Sequence, residues 1–327
     1  LDGSSYHDKR LDLTYDAVGQ SWEGDGITGS YSDYSWSNGK GDGGDGGLRS
    51  EDDGKVEFRI HTDAEVSPSE QEELANTYSP VMYFHEDEEH FPREIQEFLD
   101  DSDLKRKNFL GSDPTIVSKS VSTSDLATYT SDNYYLDWDG EEPDDEEYVI
   151  YSHVFTATDN KIVIQYWFFY LNNGGNPYTD WAVEHEGDWE MIQIICDQNG
   201  NPEKVGYSWH YEMRKSDWTS GNLRKEGSHP IVYVEKGGHA SNFNQYTASW
   251  NVDPEKYNDR NDWNDYSVIP ISNENWLNFR GKWGEDGGSP NSPTYRYSKH
   301  GSLGIYQGKL AHMWIEPIYW YDVSHKW

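Results

Sequence analysis

Apolar and polar positions change over in short bursts along most of this chain. Lys55-Val56-Glu57-Phe58-Arg59-Ile60 alternates at every step, which reads as a strand with one buried face. Pro80–His85, Tyr148–Phe155, Lys161–Tyr170, Glu190–Cys196 and Pro230–Val234 are runs of β-branched and aromatic residues and also read as strands. Between them, Asn172-Asn173-Gly174-Gly175-Asn176-Pro177 and Asn199-Gly200-Asn201-Pro202 are turn sequences. One helix start is legible: Ser67 as N-cap, Pro68 at the first helical position and acids in the first turn. Short strands separated by such turns predict a mainly β fold, a β-sandwich-like single domain with a few short helices. No internal repeat is present.

Composition narrows the function classes. The 327 residues hold 26 Lys and Arg against 60 Asp and Glu, a net charge of -34. That balance opposes nucleic acid and anionic membranes as electrostatic partners, and favours metal cations, a basic partner or a high-salt milieu. The longest apolar run, Ile162–Leu171, is interrupted by Gln165 and falls far short of the ~20 residues of a membrane helix, so no transmembrane segment is expected. Aromatics make up 15% of the chain, enough to build a core where Leu and Ile are scarce. Cys196 is the one cysteine, so an intrachain disulfide and a cysteine zinc cluster are both excluded. The start at Leu1 is compatible with a removed signal peptide or a boundary, and the expected location is extracellular or cell surface.

Residues 1–55 differ from 56–327. They are rich in Gly, Asp, Ser and Tyr, with Gly41-Asp42-Gly43-Gly44-Asp45-Gly46-Gly47 at their centre and a possible strand at Ser30–Trp36. This reads as an N-terminal arm preceding the β domain. Its aromatics, among them Tyr15, Trp22 and Trp36, suit docking on its own domain or on a neighbouring subunit as a homo-oligomer. Two acidic segments, 137–147 and 253–265, read as solvated faces or calcium loops.

The chemistry concentrates in His185-Glu186-Gly187-Asp188-Trp189-Glu190. On a strand, Asp188 and Glu190 project from one face, and Ile192 and Ile194 continue it. Two carboxylates leading into an apolar stripe need a positive partner, a divalent cation or an arginine. His185 belongs to the opposite face by alternation, and a bulge at Gly187 would bring it round. The expected metal set is therefore His185, Asp188 and Glu190, with calcium, magnesium or zinc as the cofactor. His210 and His239 are the candidate catalytic bases; His239 follows the Gly237-Gly238 turn.

Tyr78–Glu88, Gln165–Tyr170 with Asn172, Asn173 and Gly174, His185–Glu190 and Pro230–Ala240 resemble, in that order, the vacuolar-protein-sorting-associated protein 62 family. A more distant likeness is to the necrosis- and ethylene-inducing peptide-like cytolysins, which carry a Gly-His-Arg-His-Asp-Trp-Glu heptapeptide. That resemblance implies a β-sandwich with a divalent cation at a sphingolipid-glycan headgroup site, and it sets His185, Asp188 and Glu190 on the metal positions. Glu184, Glu186 and Gly187 depart from the heptapeptide, and an upstream aspartate has no clear counterpart beyond Asn173 or Asp180. Three functions follow as expectations: an extracellular cation-binding protein recognising glycans or polar headgroups, a structural subunit of an extracellular assembly, and a metal-assisted hydrolase of phosphoesters or glycosides.

Overall fold

Twelve-residue strands at Ile162–Asn173 and His185–Cys196 form the centre of a six-stranded sheet, and their side chains are buried almost throughout. A computed structural model describes residues 13–16, 21–24, 27–29, 66–108, 113–143, 147–157, 160–175, 184–209, 212–245, 257, 259–261, 265–272, 274–285, 288–295, 297–298, 311–314 and 316–323. The chain divides into Leu1–Ile60 and His61–Trp327. In the first unit, β1 (Leu13–Asp16), β2 (Ser21–Gly24) and β3 (Ile27–Gly29) make an antiparallel meander with Tyr15 opposite Trp22. The strands expected at Lys55–Ile60 and Ser30–Trp36 lie outside the described residues.

The second unit opens with α1 (Pro68–Thr77), where Ser67 Oγ accepts the Glu70 amide at 3.4 Å, as the capping sequence predicts. Next come β4 (Val81–Phe84), α2 (Ile95–Asp100), β5 (Ser102–Arg106), β6 (Thr115–Lys119), α3 (Thr123–Leu126) and β7 (Tyr134–Trp138). The long meander follows: β8 (Tyr148–Thr156), β9 (Ile162–Asn173), β10 (His185–Cys196), β11 (Pro202–Trp209) and β12 (Glu212–Asp217). After it run β13 (Lys225–Glu226), β14 (His229–Val234), β15 (Ser241–Asn242), β16 (Asp259–Asn261), β17 (Tyr266–Pro270), β18 (Tyr297–Ser298), β19 (Ala311–His312) and α4 (Pro317–Val323).

The main sheet has the order β12-β11-β10-β9-β8-β17, antiparallel except where β17 returns parallel to β8. A second sheet, β13-β14-β4-β16, carries β15 on β14. A third has the order β6-β5-β7. The main sheet is covered on both faces, which is why β9 and β10 show a continuous apolar run. One face contributes Tyr166, Phe168, Tyr170, Ile192 and Ile194 to a core shared with Met82, Phe84, Val232 and Val234 of the second sheet. The opposite face contributes Trp167, Phe169, Trp189 and Met191 to a core shared with Phe98, Leu104, Leu136, Trp276 and Trp283. Trp189 stacks on Trp276 at 5.4 Å and meets Trp283 edge-on at 5.8 Å. Burying one such ring contributes roughly 4–6 kcal/mol before the cost of ordering it. The mainly β, sandwich-like expectation holds, with tryptophan taking the place of missing aliphatics.

A polar row crosses the second core. Gln193 lies opposite Gln165 in register, and Gln165 opposite His153. Their amides are wholly buried and donate to main-chain oxygens of the C-terminal segment, Gln165 to Met313 at 2.8 Å and Gln193 to Pro317 at 3.0 Å. Trp314 of that segment stacks on His153 at 3.8 Å, and burial pushes the His153 imidazole down to about 4.

Candidate functional site

Gly187 decides the layout. It sits at φ +58°, inside an otherwise regular β9–β10 ladder. A strand residue in the left-handed region reverses the alternation of the side chains on either side of it. Glu186 therefore reaches toward the third sheet, where its Oε2 accepts the Trp138 and Glu285 amides, each at 3.1 Å. Asp188 faces the second sheet, where its Oδ2 accepts from Asn173 Nδ2 at 3.1 Å.

On the Asp188 side the partner is His239. Its ring is wholly buried, adopts φ +53° after the Gly237 turn and stacks on Tyr170 at 3.8 Å. His239 Nδ1 lies 3.1 Å from Asp188 Oδ2, and Nε2 lies 3.8 Å from Glu88 Oε1, an ion pair beyond hydrogen-bond length. Burial pushes the imidazole down, but Asp188 and Glu88 outweigh it and hold it up at about 9. Burial likewise opposes the Glu88 charge, yet His239 and the Gly237 and His90 amides keep that carboxyl below its ordinary value. An imidazole held cationic near neutrality and closed from solvent is poorly placed to act as a general base.

Each member of the expected metal set has a partner of its own. Asp188 and Glu190 do share a face, as alternation predicts, but Glu190 is hydrogen-bonded to Ser208. His185 Nδ1 stays 2.9 Å from its neighbour's carbonyl at Gly187, and its ring packs against Gly288. The turn at Gly187 forms, and it directs Glu186 toward Trp138 and Glu285. His210 and Asp180 lie outside the described residues.

Among the described residues, one group of carboxylates converges: Asp137 on β7, Glu186 on β10 and Glu285 after Trp283, with one ligand atom from each within 4.8 Å of the others. Lys105 Nζ pairs with Asp137. Three carboxylates and one ammonium leave two negative charges, the charge of one divalent cation, and hard oxygen donors suit calcium or magnesium. Beside this group opens a surface pocket of about 340 Å³ lined by Lys107, Asn108, Pro114, Tyr135 and Glu285. Asp137 belongs to the acidic segment 137–147, whereas nothing in the sequence pattern marks Glu285, and the Glu186-Gly187 step is the only signal for Glu186.

No family model matches the chain, so the vacuolar-protein-sorting-associated protein 62 resemblance finds no support. No curated protein matches it either. Solved structures do. "NLPPya in complex with mannosamine" is 13% identical over 50% of this chain and 61% of that one, TM-score 0.29. The chain thus spans about three fifths of that protein's length. "Crystal structure of non-toxic HaNLP3 protein" is 13% identical over 63% of this chain and 78% of that one, TM-score 0.35. "Toxin fold as basis for microbial attack and plant defense" is 12% identical over 70% and 88%, TM-score 0.37. These neighbours agree with the more distant of the two resemblances, but at such scores the likeness carries no argument about what this chain binds.

Proposed function

We propose that this is a divalent-cation-dependent binding protein for glycans or polar headgroups, acting outside the cell. The observation that carries the reading is the double role of Glu285, which belongs both to the converging carboxylates and to the wall of the adjacent pocket. A cation held by Asp137, Glu186 and Glu285 would sit within reach of a ligand in that pocket, where it can bind hydroxyl or acidic oxygens. The Lys107 ammonium and the Asn108 amide add donors for the same oxygens. Among the described residues no helix is long and apolar enough to cross a membrane.

Calcium or magnesium is expected to raise the melting temperature of the wild type, because a ligand of the folded state alone stabilises it. Glu285→Gln and Glu186→Gln are each expected to weaken cation binding at least tenfold, about 1.4 kcal/mol, in calorimetric titration. Asp188→Asn tests the alternative set and is expected to leave cation affinity within twofold. Retention on a glycan array should disappear in chelator. Equal melting temperatures with and without chelator would overturn the cation, and chelator-resistant array binding would overturn its role in recognition.

A further inference from the structure

Two large hydrophobic side chains stand exposed among the described residues, Ile116 at 48% and Val117 at 39%. They are neighbours on β6, the outer strand of the β6-β5-β7 sheet. The register passes from Ser118 opposite Leu104 to Ile116 opposite Lys105 and leaves Val117 unmatched, a bulge. A bulged edge is a poor template for strand addition. What this edge presents to a partner is therefore its side chains.

Those side chains have an unusual setting. Arg106 and Lys119 flank the pair, both exposed, and neither makes an ion pair with a described carboxylate. Lys105-Arg106-Lys107 is also the one run of three consecutive basic residues in a chain of net charge -34. Scattered exposed hydrophobics are ordinary. A β-branched pair flanked by two cations that have no ion-pair partner among the described residues, on a chain rich in carboxylates, has the makings of an interface.

We propose that the β5–β6 hairpin docks onto the acidic surface of a second copy of this chain. Charge complementarity selects the partner: with 60 acids against 26 bases, another copy carries an excess of carboxylates for the hairpin's cations. The contact joins unlike surfaces, hairpin to acidic face, so it is heterologous and extends head-to-tail unless it closes into a ring. It stands independently of cation binding.

The test is sedimentation velocity on the full chain over a wide range of concentrations at ~0.15 M salt, where a Debye length of ~8 Å screens the global repulsion but not close pairs. Mean mass is expected to rise with concentration. Ile116→Ser with Val117→Ser, and separately Arg106→Glu with Lys119→Glu, are each expected to weaken association at least tenfold while circular dichroism stays unchanged. A monomer at every concentration would overturn the proposal. So would association that both double variants leave intact, or association that depends on cation and ignores the hairpin. Binding of the hairpin to an acidic peptide by a wild type that stays monomeric would replace the second copy with a different acidic partner and overturn self-docking.

Discussion

His239→Leu is expected to lower stability by about 3–5 kcal/mol at neutral pH, because it strands two buried carboxylates without their cation. Asp188 and Glu88 face this ring from β10 and from the turn after β4, and both are almost fully buried. Typical domains have only ~5–15 kcal/mol in total, so the variant should unfold at mild denaturant. The pH profile separates charge loss from cavity formation. The wild-type imidazole sits at about 9 in the folded chain against 6.5 unfolded. A raised value means stability that is fully present below 6.5 and is lost as pH climbs through about 9. Glu235, raised by burial to about 7 from 4.5, loses its own contribution between those values, in the same direction. Glu88, held below its ordinary 4.5, contributes above that value and loses its share as pH falls beneath it. Urea melts of the wild type should therefore peak in mild acid and decline toward pH 9. The variant should lack the alkaline decline attributable to His239 and should recover part of its deficit as acid protonates the two carboxylates. Parallel profiles for both proteins would show that the ring is a packing element and nothing more.

Gly187→Ala should cost at least ~3 kcal/mol. The left-handed backbone alone costs an L-residue ~1–2 kcal/mol. The added methyl would also collide with the carbonyl oxygen of Trp283, a backbone atom that cannot swing aside. Relief would require β10 to regain regular alternation, which withdraws Glu186 from Asp137 and Glu285. Loss of cation binding should therefore accompany loss of stability in whatever fraction remains folded. Gly221→Ala is the control, since nothing lies within 4 Å of its added methyl. If Gly187→Ala melts like Gly221→Ala and still binds cation, the strand tolerates the residue and the proposed separation of Glu186 from Asp188 fails.

The sequence revealed the central strands because both of their faces are covered: Ile162–Leu171 and Glu190–Cys196 could hardly be anything else. It also revealed that Asp188 and Glu190 share a face. The third sheet was not legible. Ser102–Arg106 and Thr115–Lys119 carry few apolar residues, since β6 is exposed and β5 buries little more than Ser102 and Leu104. The convergent carboxylates escaped for a related reason. Asp137, Glu186 and Glu285 come from two strands and a loop far apart in the chain, and contact between them depends on a single glycine torsion. Alternation predicts faces only while φ stays negative, so it places Glu186 beside Asp188 and misses the turn at Gly187 that sends Glu186 to the other side.

The row formed by Gln165 and Gln193 sets an order of events during synthesis. Gln193 is satisfied by a carbonyl 124 residues downstream, and Gln165 by one 148 residues downstream. At ~5–20 residues per second, translation needs roughly 6–25 s to run from Gln193 to Pro317. Through that interval Gln165 has only the Gln193 side-chain oxygen to donate to, and the Gln193 amide still lacks the Pro317 acceptor, beside the apolar surface that Met313 and Trp320 later cover. The nascent chain must therefore wait, wet along one face, for the segment that carries Met313 and Pro317. A chain cut short between Thr294 and Met313 would hold every strand of the main sheet with the Gln193 amide still open to water.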